Sequence, residues 1–420
     1  MKTRKILLSA YACEPGKGSE PGVGWHWALE LAGLGYETWV LTRANNRPTI
    51  EAALAGRPRA ANPRFLYYDL PPWARWWKKG SRGLRLYYFL WQWGAYRIAR
   101  KFHERERFDL VHHITFGVVR QPSFMGNLGI PFVFGPVGGG EKAPWRLRIG
   151  YGWRGWIVDG LRDLSNFLVR VDPLIYRTFR QAERIYVTSG QTRAVVPRRF
   201  RGKTAVGLAI GWDRNEIARI PTERMENEGN ADTFRILYIG RLLYWKGMHL
   251  GLQAFAKLVQ SHPNASLTMH YDGPDRPRWR RLAECLGVLG NITWTLWLAR
   301  DQVFKLYSRH DLLLFPSLHD SGGMVVLEAM AHGLPVVCLD LGGPGVMVNE
   351  TCARVISTRG VTKSNVIENL GQALTHILKT PQLRRRLAQG ALARARKYAW
   401  DVRVKHFYSA YGTIDGRKYP

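Results

Sequence analysis

Two basic residues follow an apolar run in the second half of the chain. The motif GRLLYWKG occupies residues 240–247 and follows the run 234–239, whose length and composition predict a β-strand. Gly240 permits a tight turn, Arg241 and Lys246 supply fixed positive charge, and a helix is expected to follow. Two cations beside a helix N-terminus favour a diphosphate group. An ordinary strand-to-helix loop with solvated charges is the alternative interpretation.

A second glycine-containing motif, HDSGGMVVLEAMAHGLPVV at residues 319–337, also follows an apolar run. Gly322 and Gly323 free the backbone just before a helix that we expect to begin near Met324. The first amides of that helix would point at an anion, because the N–H groups of a first helical turn have no partner within the helix.

The same motif carries two carboxylates, Asp320 before the turn and Glu328 inside the helix. Carboxylates accept hydrogen bonds from pairs of sugar hydroxyls, so this pair suits a hexose and a ribose. The spacing is equally compatible with a helix cap at Asp320 or Ser321 and a surface glutamate at 328.

The first half contributes a glycine-rich loop and a histidine pair, each after an apolar run. The loop EPGKGSEPGVG at 14–24 lacks both the GxxxxGK[ST] and the GxGxxG spacing, which excludes a P-loop ATPase and a nicotinamide dehydrogenase. His112 and His113 in VHHITFG are candidates to accept or orient a hydroxyl proton, although a histidine at a strand end is often structural. Neither has cysteines or acids at zinc-ligand spacing, so no metal site is expected.

Positive charge and aromatic residues are concentrated in the first half. The chain carries 62 basic and 32 acidic residues, which give a net charge of +30. Residues 1–210 alone contain 34 of the basic and 14 of the acidic residues. Residues 71–100 combine seven basic residues and nine aromatics with no acid. Such a segment suits an anionic membrane surface, single-stranded nucleic acid, or an ordinary surface helix with its aromatics in the core. The candidate docking residues are Trp73, Trp76, Trp77, Lys78, Lys79, Arg82 and Arg85.

The elements that must position these residues alternate between strand and helix twice. Strand-like runs lie at 5–11, 37–41, 65–70, 110–114, 131–134 and 184–188, and again at 234–239, 266–271, 292–296, 312–316 and 334–339. The acidic stretch 213–233 between the two series predicts a linker. The fold class expected is α/β, with two Rossmann-like doubly wound domains facing a cleft.

Composition narrows the class of protein further. The 46% hydrophobic content and 17 tryptophans exclude a disordered or fibrous chain. No uninterrupted apolar run approaches the ~20 residues that a membrane-spanning helix needs. The four scattered cysteines form neither a CxxC pair nor a disulfide framework, which fits a cytoplasmic protein.

Taken together, the motifs resemble those of the retaining glycosyltransferases of family 4, which have the GT-B fold. GRLLYWKG resembles the family's Gly-Arg-Leu…Lys-Gly motif, and Asp320 with Glu328 resembles its two acids separated by seven intervening residues. ERIYVTS at 183–189, IGWD at 210–213, YDGP at 271–274 and the terminal WDVRVKHFYSAY at 400–411 are similar to further family segments. The likeness covers nearly the whole chain.

The resemblance implies roles for individual residues. The diphosphate of a nucleotide-sugar would be bound by Arg241 and Lys246, beside Gly240, and Glu328 would hold the ribose hydroxyls. Asp320 would hold the transferred sugar, and the amides of Gly322, Gly323 and Met324 would stabilise phosphate or sugar oxygens. Gly18 and Gly22 would approach the pyrophosphate from the other domain, and His113, or else His112, would lie near the sugar. The family usually needs no catalytic metal and no cofactor besides the substrate.

The implied domains are an acceptor-binding domain at 1–212, the linker at 213–233, a donor-binding domain at 234–395 and a returning helix at 396–420. The implied function is transfer of a sugar, with retention, from a nucleotide-sugar to a lipid-linked or polysaccharide acceptor. The basic first half suggests peripheral association with the inner face of the cytoplasmic membrane. The alternatives are a soluble enzyme with a small acceptor and a non-catalytic protein that binds anionic surfaces or nucleic acid. We find no nucleic-acid-binding signature, so nucleic acid is not an expected partner.

Overall fold

The computed structural model describes residues 3–58, 62–78, 80, 82–214, 216 and 234–409. These residues form two compact units, each assembled from separate stretches of the chain. Unit 1 comprises Met1–Gly140, Ser165–Gly211 and Trp400–Pro420, and unit 2 comprises Glu141–Leu164 and Trp212–Ala399, within the described residues.

Unit 1 is built on a seven-stranded parallel sheet in the order β3-β2-β1-β4-β5-β6-β7. Its strands are β1 Lys5–Ser9, β2 Glu37–Thr42, β3 Arg64–Tyr67, β4 Leu110–His113, β5 Phe132–Val137, β6 Arg184–Val187 and β7 Thr204–Val206. The central strands are short apolar runs that are buried on both faces, as parallel sheets covered by helices require.

Helices cover this sheet and supply its aromatic core. They are α1 Ser19–Gly33, α2 Arg47–Ala55, α3 Leu84–Glu106, α5 Pro173–Gln181 and α6 Gly190–Val195. A further helix, α4 Trp153–Leu168, begins in unit 2 and ends in unit 1. Tyr87, Tyr88 and Trp91 of α3 are fully buried against the sheet. The last described helix of the chain, Trp400–Tyr408, also belongs to unit 1.

Unit 2 is built on a six-stranded parallel sheet in the order β10-β9-β8-β11-β12-β13. Its strands are β8 Arg235–Ile239, β9 Ser266–His270, β10 Ile292–Thr295, β11 Leu312–Phe315, β12 Val336–Leu339 and β13 Ala353–Ile356. The helices are α7 Met248–Ser261, α8 Arg276–Cys285, α9 Arg300–Arg309, α10 Met324–Ala331, α11 Gly342–Met347, α12 Lys363–Lys379 and α13 Pro381–Arg396, followed by α14 Trp400–Tyr408 in unit 1.

The two sheets confirm the predicted class, α/β with two Rossmann-like doubly wound domains. Every predicted strand is present, but the short edge strands β7 and β13 were not predicted. The linker prediction at 213–233 lies outside the described residues, apart from positions 213, 214 and 216. Of the predicted returning segment, residues after 409 also lie outside them.

One stretch of the first half of the sequence folds with the second. Ala143, Leu147 and Tyr151 are buried in the core of unit 2, together with residues of β8 and α7. Glu141–Leu164 therefore forms part of unit 2, although the boundary predicted from the sequence lies at residue 212. Within the described parts of the chain, no helix is both long and apolar enough to cross a bilayer.

Candidate functional site

The strand order of unit 2 determines where a ligand is expected to bind. The sheet is extended from β8 in one direction to β9 and in the other to β11, so the chain reverses its order between β8 and β11. In doubly wound sheets ligands bind beyond the carboxyl ends of the strands at such a reversal. The two motifs at 240–247 and 319–337 begin at the ends of these two strands.

The first loop makes a close turn against the end of β11. A short 3-10 helix, Tyr244–Lys246, follows β8, and Gly247 then begins α7 with a φ of +71°. A Cβ at this position would lie 1.9 Å from the carbonyl oxygen of Pro316. Glycine is needed here for both its conformation and its small size.

The second loop is held by its own aspartate. Asp320 Oδ1 accepts hydrogen bonds from the backbone N–H groups of Gly322 and Gly323, at 3.3 and 3.1 Å. Its Oδ2 lies 2.5 Å from Lys246 Nζ, and both side chains are largely buried. The cap position of α10 is Gly323, with a φ of +73°, rather than Asp320 or Ser321. Asp320 therefore joins the two predicted motifs.

The two loops border a cavity of about 410 Å³ in unit 2. The cavity is lined by Arg162, Arg241, Leu243, Trp245, Lys246, His319, Asp320 and Ser321. Arg241 is exposed, and within the described part of the chain its guanidinium has no ion-pair or hydrogen-bond partner. Three cations against one carboxylate give the lining an excess of positive charge, which suits an anionic ligand.

Residues of the stretch Glu141–Leu164 complete this cavity. Ser321 Oγ donates to Glu141 Oε2 at 2.7 Å, and Glu141 is fully buried. Arg162 Nη1 lies 2.8 Å from His319 Nδ1, and Arg162 Nη2 lies 3.5 Å from Glu141 Oε2. Because a guanidinium can only donate, His319 Nδ1 is the acceptor and the ring proton resides on Nε2.

The other side of the His319 ring contacts a second carboxylate. His319 Nε2 donates to Asp159 Oδ1 at 3.2 Å, and the hydroxyl of Tyr244 donates to the same oxygen at 3.2 Å. Burial lowers the pKa of His319, which favours the neutral ring. Burial alone would raise the pKa of Asp159, but the hydrogen bond from His319 and the nearby Arg148 lower it overall. Trp245 stacks on the imidazole at 5.4 Å between ring centroids.

Glu328 occupies a different environment from Asp320. It lies inside α10 and does not line the cavity. Its Oε2 accepts a hydrogen bond of 2.7 Å from the hydroxyl of Tyr307, which is fully buried on α9. Burial raises the pKa of Glu328, while the bond from Tyr307 lowers it. The surface-glutamate interpretation is therefore wrong, since the carboxylate is half-buried and held by a neighbouring helix.

The structure thus brings together Arg241, Lys246 and Asp320 around one cavity. Gly240 ends β8, Gly322 and Gly323 carry the loop before α10, and Met324 begins that helix. Their roles toward a nucleotide-sugar stay predictions.

The predicted glycines of unit 1 lie at the start of α1. Gly18 is the residue that caps this helix, in an extended conformation, and a Cβ there would meet no atom within 4 Å. Gly22 lies within the first turns, where a Cβ would approach the carbonyl oxygen of Lys17 to 2.3 Å. Local packing therefore requires glycine at position 22, and its approach to a pyrophosphate stays a prediction.

The two histidines at the end of β4 are buried and hydrogen-bonded on both ring nitrogens. His112 Nε2 donates to the carbonyl of Gly135, and the hydroxyl of Tyr408 donates to Nδ1, both at 2.6 Å. His113 lies 3.2 Å from Tyr88 Oη and 3.1 Å from Ser123 Oγ. Burial lowers the pKa of His112 to about 4 and that of His113 to about 3. These contacts favour the structural interpretation of both rings, and a role near the sugar stays a prediction.

The aromatic and basic segment 71–100 divides into two parts. Trp73 and Trp76 are 78% and 77% exposed, whereas Trp91 is fully buried and donates to the carbonyl of Tyr68. Among the other candidates, Trp77 is half-buried, Lys78 lies over the ring of Tyr87, Arg82 and Arg85 are exposed, and Lys79 lies outside the described residues. The surface-helix interpretation therefore fits Trp91 of α3, whereas Trp93 of the same helix is 50% exposed, and Trp73 and Trp76 precede the helix.

Sequence reasoning missed Arg162 as a cavity residue, together with the contacts of Glu141 and Asp159. These side chains lie far from both motifs in sequence, so their spacing gave no signal. The available signal was the pattern of α4, in which polar residues recur every three or four positions within an apolar helix. Within the described residues, no group of three side chains is arranged to hold a metal ion.

Comparison with known proteins agrees with this fold. The sequence profile of the family described as "Glycosyl transferases group 1" matches residues 220–394. A D-inositol 3-phosphate glycosyltransferase of Corynebacterium urealyticum is 28% identical over 184 residues, which are 42% of this chain and 42% of that protein. The match thus spans less than half the length of this relative.

Solved structures are similar over almost the full chain. WaaG, a glycosyltransferase involved in lipopolysaccharide biosynthesis, has a TM-score of 0.57 at 18% identity, covering 98% of this chain and 100% of its own. Alr3699/HepE of Anabaena, solved with UDP and glucose, has a TM-score of 0.57 at 17% identity, and the match covers 97% of this chain and 99% of HepE. The GT-B fold expected from the motifs is therefore confirmed, and residues 220–394 are similar to the group 1 glycosyltransferases.

Proposed function

We propose that this protein is a retaining glycosyltransferase that moves a sugar from a nucleotide diphosphate sugar to a lipid-linked or polysaccharide acceptor at the cytoplasmic face of the membrane. The observation that carries the proposal is the cavity of unit 2, where Arg241 and Lys246 border the loop that leads into α10. The cavity presents the positive charge of Arg162, Arg241 and Lys246 next to that loop. A diphosphate ester is an anionic ligand that several cations can bind at once.

The donor would be held by charge and by hydrogen bonds from the ends of two strands. Arg241 has no competing anion among the described residues and would bind a phosphate oxygen, and Lys246 would exchange its contact with Asp320 for the diphosphate. Asp320 would then accept hydrogen bonds from the sugar, while Glu328 would bind the ribose. That the HepE structure contains UDP and glucose supports this class of donor.

The chain's own charges would supply most of the catalysis. Charge develops on the diphosphate as the glycosidic bond breaks, and cations that already contact the bound diphosphate stabilise that charge. No residue need act as a metal ligand in this scheme. Retention would follow from attack on the face that the diphosphate leaves, with the departing phosphate taking the proton of the acceptor hydroxyl.

The acceptor side of the proposal rests on charge and exposure. The net charge of +30 attracts anionic lipid diphosphates, and Trp73 and Trp76 are exposed in unit 1. The fold similarity to WaaG, a protein involved in lipopolysaccharide biosynthesis, supports an acceptor of this kind. The similarity to a D-inositol 3-phosphate glycosyltransferase favours the second candidate, an enzyme with a small acceptor.

A ligand screen with matched glutamate variants tests the donor site. UDP, GDP and ADP and their sugars are added separately, and the thermal unfolding midpoint is recorded, since a ligand that binds the folded state raises it. We expect one nucleotide family to raise the midpoint, and Glu328→Gln to lose most of that increase. Glu284→Gln, an exposed glutamate on α8, is the control and should retain it. If no nucleotide stabilises the protein, or if both variants respond alike, the proposed donor site is wrong.

The transfer reaction itself is tested with the donor so identified. Incubation with lipid-linked acceptors and with small polyols, followed by NMR of the product, gives the acceptor class and the anomeric configuration. Product with the donor's configuration supports the proposal, and an inverted product contradicts the retaining mechanism. Transfer only to small polyols would favour the second candidate.

A further inference from the structure

The outer surface of unit 2 carries an unusually apolar stretch between residues 145 and 164. Eight of its large hydrophobic side chains are 40–69% exposed. They are Trp145, Ile149, Trp153, Trp156, Ile157, Val158, Leu161 and Leu164. In monomeric soluble proteins such side chains are normally scattered, and a contiguous group marks an interaction surface.

The helix α4 has its polar side turned inward. Asp159 is 2% exposed, and Arg162 and Asp163 are partly buried in contacts with His319 and Arg148. Because these contacts hold the polar side against the cavity loops, the apolar side of the same helix must face outward. This is the reverse of an ordinary surface helix, whose apolar side faces the core.

The exposed charged side chains beside this apolar surface are positive. Arg146 and Arg154 are exposed, and each lies over a neighbouring tryptophan ring, Trp145 at 5.4 Å and Trp153 at 5.2 Å. The acids of 141–164 are buried or paired with Arg148 and Arg162. An apolar surface bordered by arginine and tryptophan suits a bilayer interface with anionic headgroups.

We propose that this surface of residues 145–164 is the element by which the protein docks on an anionic membrane. The inference rests on the proposed reaction at the membrane face, and it names the docking surface. Association with a second copy would bring Arg146 and Arg154 of the two chains close to like charges, whereas anionic lipids neutralise them. Since Arg162 of the same helix lines the cavity, a docked α4 would hold that cavity next to the lipid surface.

The test compares three variants of the full-length protein for binding to vesicles. The docking variant carries Trp153→Gln, Ile157→Gln and Leu164→Gln. The first control carries Leu296→Gln and Trp297→Gln, which are 56% and 71% exposed elsewhere in unit 2. The second control carries Trp73→Gln and Trp76→Gln in unit 1. Vesicles of neutral lipid alone, and vesicles of neutral lipid mixed with anionic lipid, are sedimented with each protein.

We expect the unaltered protein to bind anionic vesicles, the docking variant to lose at least about tenfold in partitioning, and the Leu296/Trp297 control to bind as before. Equal binding by the docking variant would overturn the proposal, and a loss confined to the Trp73/Trp76 control would assign docking to unit 1. A dimer that the docking variant dissociates would show that a second copy covers the surface.

A separate readout distinguishes failure of this inference from failure of the proposed function. The nucleotide-induced rise in the unfolding midpoint is measured without vesicles for all variants. A docking variant that keeps this rise and loses vesicle binding supports the inference. Vesicle binding without any nucleotide response would leave the docking surface supported and contradict the proposed donor site.

Discussion

At the scale of single residues, the three basic side chains that line the cavity of unit 2 differ in their contacts. Lys246 is paired with Asp320, and Arg162 contacts His319 and Glu141, but Arg241 has no described partner. A cation with no internal partner contributes its charge to a ligand rather than to the fold. The functional and structural effects of these residues should therefore separate.

Replacing Arg241 and Lys246 in turn by methionine tests this separation. Arg241→Met should weaken nucleotide binding about 10- to 100-fold, the value of one charge-assisted hydrogen bond, and leave the unfolding midpoint unchanged. Lys246→Met should weaken binding similarly and also lower the midpoint, because Asp320 is left largely buried without its cation. Calorimetric titration and thermal unfolding measure the two effects. A drop in stability for Arg241→Met would contradict the assignment.

The predicted residues that the structure brings to one cavity are those that follow an apolar strand, and their roles stay predictions. Arg241, Lys246 and Asp320 do so, and a strand's carboxyl end is where parallel sheets bind ligands. Arg162 could not be found in this way, since its place depends on a tertiary contact with His319, 157 positions away. The histidines of β4 were at strand ends too, but contacts with Tyr408 and Ser123 occupy their nitrogens.

At the scale of elements, the strand-to-helix loops of unit 2 are fixed by close backbone packing. Gly247 meets the carbonyl of Pro316, and Gly273 of the YDGP motif would meet Leu242 if it carried a Cβ. The central strands β11 and β12 were predicted because they are wholly apolar and buried. The edge strands β7 and β13 were missed because each contains a polar residue, Thr204 and Arg354, and is only partly buried, so the apolar signal is weaker.

A pair of glycine substitutions measures how tightly the first loop is packed. Gly247 and Gly287 have similar φ values, +71° and +69°, but only Gly247 faces a close neighbour. Gly287→Ala should cost about 1–2 kcal/mol from backbone conformation alone. Gly247→Ala should cost several-fold more, because the new methyl group overlaps the Pro316 carbonyl and the loop must move. Denaturant unfolding gives both values, and equal losses would show that the loop adapts.

At the scale of the whole molecule, buried histidines lie in both units. Burial lowers the pKa of His112 to about 4 and of His113 to about 3 in unit 1, and that of His249 to about 4 in unit 2. His249 Nε2 donates to the carbonyl of Leu147 at 2.9 Å, so it fastens the stretch 141–164 to α7. Each of these rings is neutral in the folded chain at pH 7.

These histidines predict loss of stability in mild acid. The unfolded chain binds protons near the ordinary histidine pKa of about 6.5, whereas the folded rings do so only near pH 3–4. The folded state should therefore be fully stable above about pH 6.5 and lose up to about 1.4 kcal/mol per pH unit for each ring below it.

Unfolding midpoints between pH 7.5 and 4.5 measure this dependence. The variant His112→Gln keeps a donor for the Gly135 carbonyl and an acceptor for the Tyr408 hydroxyl, but its side chain cannot titrate. The stability of this variant should therefore fall less steeply with decreasing pH than that of the unaltered protein, and the slopes should differ by about one bound proton. An identical slope in the variant and the unaltered protein would show that His112 is not responsible.

The path of the chain also limits how this protein can be recombined with its relatives. The chain passes between the two units four times, after residues 140, 164, 211 and 399. A hybrid joined at residue 212 would give the donated second half a foreign version of Glu141, Arg148 and Arg162, and so a foreign set of partners for Ser321 and His319. To exchange the proposed donor site by grafting, the stretch 141–164 would therefore have to be transferred together with the second half.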